Sequence, residues 1–170
     1  MTVNSADFVW DEFHWTTPVR FPEGSGPTHL RYAPEGRDDR PLDEAEISAV
    51  AWTIDNLPLL WQAMQPSLHI YYRQLRAAPD GLDPEDLPAI DSAEDVVALI
   101  RLQAVNVHQI SKDGLPYVGL EFACPWDEEH GLGILMHGSR TVDIGGADTA
   151  YLLWIARRDS ELPTPPAPMR

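Results

Sequence analysis

Partway along this chain the spacing of apolar residues changes from helical to alternating, and that change bounds the folds open to it. Over residues 43–78, Ile47, Val50, Ala51 and Ile54 recur three and four apart. Leu57, Leu60, Trp61 and Met64 continue the stripe, and Leu68, Tyr71, Tyr72 and Leu75 form another. Asp43, followed three residues later by Glu46, has the form of a capping box and places a helix start there. Pro58 and Pro66 each remove a backbone donor, so the spacing predicts two or three consecutive helical segments rather than one. From Arg101 the period is two. Residues 101–110 and 116–124 flank Asp113-Gly114, a strong hairpin turn, and residues 133–137 and 140–144 flank Gly138-Ser139. Helices followed by strands predict an α+β fold, an antiparallel sheet packed against two or three helices, and argue against a doubly wound parallel sheet.

The flanking stretches are less regular. Phe8, Trp10, Phe13, Trp15, Val19 and Phe21 give short extended pieces, residues 22–27 read as a turn, and residues 29–32 return as a strand. Residues 34–41 are charged and bounded by proline, which marks a loop. Seven acids between Asp80 and Asp95, with no base, describe a solvated linker that ends by capping a short helix near Ala93. Asp148 is placed to cap a last segment through Arg157, which an edge strand fits equally well. Four prolines in the last ten residues predict a disordered tail over 159–170, leaving residues 1–158 as one α+β domain.

Twelve basic against 27 acidic residues leave a formal charge of −15. Such a chain repels phosphate backbones and anionic lipid, so neither nucleic acid nor membrane is expected as a partner. Solubility accounts for the charge, and steering onto a basic protein partner is the sharper reading. The lone Cys124 fits a reducing compartment, and the first residues have no basic or apolar region of a signal peptide; the expectation is a cytoplasmic protein.

Two groupings carry the residue types of chemistry. With Lys112 opposite Leu115, hairpin register places Ile110 against Tyr117, His108 against Gly119 and Asn106 against Glu121. One side then gathers Asn106, His108, Tyr117 and Glu121, with open space at Gly119, while Val105, Val107, Val118, Leu120 and Phe122 form the core side. A histidine beside a carboxylate is a candidate base or metal ligand, though a polar outer face of a sheet has the same pattern. The second grouping is the connection Trp126, Asp127, Glu128, Glu129 and His130, closed by Gly131 and Gly133. Three acids beside a histidine offer donors to a divalent cation, but at no established motif spacing; a tight turn whose acids bind backbone amides explains them as well. No phosphate loop, nucleophile elbow or dinucleotide fingerprint is present, and neither a catalytic residue nor a cofactor is assigned.

The string Gly119-Leu120-Glu121-Phe122, then Trp126-Asp127-Glu128-Glu129-His130-Gly131-Leu132-Gly133, then Gly145-Gly146-Ala147-Asp148, resembles a bacterial family of domains of unknown function. That family is similar in carrying a Trp-Asp-x-Glu-His-Gly-x-Gly signature followed by Gly-x-Ala-Asp, and some members resemble immunity proteins that neutralise toxins. The resemblance implies that Trp126, Asp127, Glu129, His130, Gly131 and Gly133 are the positions to test, without assigning them chemistry. Three functions follow as expectations. The first is a non-catalytic acidic module binding a basic protein, in its narrowest form a toxin-neutralising one. The second is a metal-assisted hydrolase built on Glu128 and His130, with His108, Glu121 or His137. The third is a structural domain of a larger assembly.

Overall fold

A computed structural model describes residues 2–20, 28–32 and 38–164, and the statements below concern these. The turn expected at 22–27, much of the loop expected at 34–41 and the last prolines lie outside the described residues. Seven strands form one sheet in chain order: β1 Val9–Trp10, β2 Trp15–Val19, β3 Thr28–Tyr32, β4 Arg101–Lys112, β5 Leu115–Ala123, β6 Leu132–His137 and β7 Arg140–Gly145. All neighbours are antiparallel except β3 and β4. Parallel neighbours need a long crossover, and the helices supply it: α1 Glu44–Ala77 and α2 Ala93–Val97 lie between those strands in the chain. The α+β class expected from the change of period is the observed one. The parallel junction that adds the N-terminal strands to the same sheet was not anticipated.

One helix of 34 residues stands where two or three segments were predicted. Its start is the predicted box: Glu46 N–H donates to Asp43 Oδ1 at 2.9 Å and Asp43 N–H to Glu46 Oε2 at 2.8 Å. Pro58 and Pro66 both lie on the exposed side, where water can bond the carbonyls they orphan. Val50, Thr53, Leu57, Leu60, Trp61, Met64, Leu68 and Tyr72 are buried on the other side. At roughly 1.5–3 kcal/mol for each large apolar side chain buried, this stripe outweighs about 3 kcal/mol lost at each proline.

The stripe lies on a sheet face made of aligned rows. Leu30, Val105, Leu120, Ile134 and Ile144 are successive partners across five strands, all within the same core as α1. The predicted core side of the hairpin, Val105, Val107, Val118, Leu120 and Phe122, is therefore the observed one. The turn is also as predicted: Asp113 and Gly114 both take positive φ, 51° and 77°, and Lys112 pairs with Leu115.

Register beyond the turn departs from expectation. Val107 pairs with Val118, Asn106 with Gly119 and Ala104 with Glu121, so His108 does not face Gly119 and Asn106 does not face Glu121. Residues 108–110 of β4 oppose Tyr117 alone. The ladder to β3 ends at Tyr32 and Val107, which leaves this stretch of β4 held by one described ladder and able to bulge. A slip of two residues preserves the sides of the sheet, so the predicted partition of side chains survives the loss of the predicted pairs.

The second face is not the solvated surface expected of it. A 3-10 turn, Ala147–Ala150, and α3, Leu153–Glu161, cover it, and Tyr117 and Leu135 are fully buried against Ile155 and Ala156. Asp148 caps no helix by its side chain. The boundary expected at 158 falls inside α3, so Asp159 to Glu161 are helical rather than part of a tail. No described helix is long and apolar enough to cross a membrane.

The close approach of the 3-10 turn makes a stability prediction. A β-carbon added at Gly119 would stand 1.6 Å from the Ala150 carbonyl oxygen, whereas one at Gly114 would meet nothing within 4 Å. Gly119→Ala is expected to cost about 3 kcal/mol or more in urea unfolding, through forced displacement of the turn. Gly114→Ala should cost about 1 kcal/mol, from its positive φ alone. Equal costs would show that the contact does not control stability.

Candidate functional site

Several of the residues singled out in the sequence, among them His108, Glu121, Asp127, Glu129 and His130, fall around the 3-10 turn. It lies close on the sheet because three strands carry glycine beneath it, two under its backbone and one under the Thr149 side chain. A β-carbon at Gly133 would stand 2.5 Å from the Gly146 oxygen, and one at Gly145 would stand 2.7 Å from Thr149 Oγ1. Gly119 therefore leaves no open space for a reacting group; the Ala150 backbone fills it.

The connection from β5 to β6 holds the turn from the side. Trp126 is buried and meets Tyr72 edge-on at 5.2 Å. Asp127 Oδ1 accepts the His130 N–H and Nδ1–H, both at 3.0 Å, while its carbonyl accepts the Gly131 N–H at 2.9 Å. Gly131 takes φ of 64°, and the His130 carbonyl accepts the Ala147 N–H at 2.8 Å. Gly131 and the hydrogen bonds of Asp127 and His130 thus fasten the loop to the 3-10 turn. The bond from Asp127, with the charges of Asp127 and Glu129, holds the exposed His130 imidazole above its ordinary pKa. Glu128 is exposed and outside the recess described next.

A recess of about 690 Å³ opens beside this loop, lined by Glu121, Asp127, Glu129, His130, Asp148 and Tyr151 among others. Glu121 Oε2 lies 3.4 Å from Asn106 Nδ2 and 3.6 Å from an Arg31 terminal nitrogen. Asn106 and His108 are buried, at 6% and 7% exposure. The His108 Nε2–H donates to the Ala150 carbonyl at 2.9 Å, and burial pushes its pKa below the ordinary histidine value. Arg31 and Tyr151 were not anticipated; β3 delivers the arginine only through the parallel junction, for which sequence spacing holds no signal.

Tyr117 belongs elsewhere. Its hydroxyl donates to Asp159 Oδ2 at 2.6 Å, and Arg140 grips the same carboxylate with two bonds, at 3.0 and 2.6 Å. Lys112 Nζ donates to the Asp159 and Leu162 carbonyls at 3.2 and 2.8 Å, closing the C-terminal end of α3. This latch was missed because Asp159 was assigned to the tail. The spacing of Leu152, Ile155, Ala156 and Asp159 was the available signal.

The convergence required of a metal-assisted hydrolase is not found. His137 donates to the Lys112 carbonyl at 2.9 Å and packs on Tyr117, next to the latch rather than the acidic recess. No group of three His, Cys, Asp or Glu side chains among the described residues is placed to hold a metal ion. Cys124 is buried, and desolvation pushes its thiol up to about 11.

Comparison with known proteins gives one match. The profile of the family described as "Domain of unknown function (DUF6985)" matches residues 4–152, most of the chain and all seven strands. No curated protein and no solved structure matches.

Two measurements test this arrangement. The Arg140 bonds, helped by the Tyr117 hydroxyl and opposed by burial, depress the Asp159 pKa to about 2. The folded value lies below the unfolded one of about 3.9, so the stabilisation is full above pH ~4 and lost as pH falls through ~2. It amounts to about 2 kcal/mol, a loss expected for Asp159→Asn at pH 7, with a flattened acid limb in denaturation. An unchanged acid limb would remove the latch from the stability of the fold. Cys124 should resist a thiol reagent at pH 8 until the chain is unfolded; prompt labelling of the native protein would show that the strand end opens.

Proposed function

The chain belongs to the DUF6985 family, and we propose that it is a non-catalytic protein-binding domain whose acidic recess receives a basic side chain of a partner. The observation that carries this reading is the lining of the recess: Glu121, Asp127, Glu129 and Asp148 surround one opening beside the half-exposed Tyr151. A lysine or arginine entering there meets carboxylates from several lining residues beside a tyrosine, an arrangement suited to a cation. The charge of −15 over the whole chain adds long-range attraction for a basic protein. Binding rather than catalysis is favoured by how the other polar groups are used. Asp127 caps its loop, and His108 is tied to Ala150. Neutralisation of a basic toxin is the narrowest form of this proposal, since acidic inhibitors of basic enzymes gain association rate from such complementarity.

Glu129 and Asp148 make no side-chain hydrogen bond within the described fold, so their charges can be reversed with little effect on folding. The full chain, immobilised in lysate at low salt, is expected to retain a basic protein in near-equal amount. Raising salt to about 0.5 M, where screening acts within a few ångströms, should release it. A Glu129→Lys/Asp148→Lys variant of unchanged melting temperature should fail to retain it. Retention of the same protein by that variant would exclude this recess as the binding surface.

A further inference from the structure

Across Tyr151 from the acidic recess lies a smaller one of about 220 Å³, walled by His14, Arg31, Asn106, His108, Gln109 and Leu152 among others. His108 is the informative wall. A carbonyl only accepts, so the bond from Nε2 to the Ala150 oxygen fixes the ring proton on Nε2 and leaves Nδ1 as a bare acceptor. No described residue donates to Nδ1, in a residue that is 7% exposed and lines the recess. Ala150 directly precedes the Tyr151 and Leu152 walls, so the ring stands on the recess side of the sheet. The geometry is that of a histidine oriented by its backbone partner and open at the other nitrogen.

Arg31 provides the complementary half. Its guanidinium is partly buried and ion-paired with Glu121 through one terminal nitrogen at 3.6 Å. No shorter hydrogen bond to it is made among the described residues, which leaves N–H donors of the fork for a second carboxylate. A planar fork matches a carboxylate. The Glu121 carboxylate beside the guanidinium disfavours a doubly charged anion. The volume holds roughly seven waters, or a molecule with a similar number of non-hydrogen atoms.

We propose that this recess binds a small hydroxy carboxylic acid, the carboxylate on the Arg31 guanidinium and the hydroxyl donating to His108 Nδ1. Leu152 and Leu153 are the apolar residues lining the space left for its hydrocarbon part on this face. The site shares the Tyr151 wall with the acidic recess, and its Arg31 pairs with Glu121 there, but it takes a small molecule and does not depend on a protein partner.

The test uses the full chain labelled with 15N-histidine and three probes of nearly equal shape: lactate, alanine and propionate. Lactate is expected to move the His108 Nδ1 resonance on titration. It should bind about tenfold or more tightly than propionate, which has no donor for that nitrogen. Arg31→Gln, which alters a partly exposed side chain, should abolish the lactate response while leaving the His108 signals of the free protein in place. No response to lactate would mean that water alone occupies the recess and would overturn the proposal. Equal binding of propionate, tighter binding of alanine, or a response that survives Arg31→Gln would overturn it as well.

Discussion

The Ala150 carbonyl oxygen occupies the place where a β-carbon of residue 119 would stand, and its consequences spread over the whole second face of the sheet. Because Gly119 and Gly133 have no side chain, a 3-10 turn lies with its backbone against two strands, and Gly145 on a third leaves room for the Thr149 side chain. The same carbonyl is thereby brought to His108 Nε2, which fixes the tautomer of the buried ring. Tyr151 leaves the turn at the surface between the two recesses, and α3 begins three residues after Ala150. That contact seats the turn that separates the two recesses and leads into the helix covering Tyr117.

On the opposite face the controlling balance is between local cost and summed burial. Two prolines inside α1 oppose helix continuation, yet each acts at one position, while eight buried residues act together along 34. The prolines are tolerable because both sit on the solvent side. Had either replaced a member of the buried stripe, it would have lost core contact as well as a hydrogen bond.

Much of the candidate site was legible as a set of residues and little of it as an arrangement. The segment from Trp126 to Gly133 stood out because an acid, a histidine and two glycines lie close in sequence, and the hydrogen bonds of Asp127 are equally local. Glu121 and Asn106 were placed on one side by alternation, and they do meet, though as a diagonal neighbour contact rather than an opposed pair. Arg31 was invisible because it lies 75 positions before Asn106 and reaches it only through the parallel ladder. Asp159 lies where helical spacing and the proline content of the following residues point opposite ways, and packing of Ile155 and Ala156 on the sheet decides for the helix.

The sequence by itself determined the change of period, the capping box at Asp43, the hairpin turn at Asp113 and Gly114, the core side of that hairpin, and the acidity of the surface. Each is a matter of neighbours within four positions, where backbone sterics and short hydrogen bonds act, or of composition alone. Only the tertiary structure decided that β3 joins β4 in parallel, that α1 continues through its prolines, that β4 bulges, and that the second face is covered. Those outcomes depend on which distant segments pack against each other. The free energy that selects among them is summed over many contacts, so no single stretch of chain carries it.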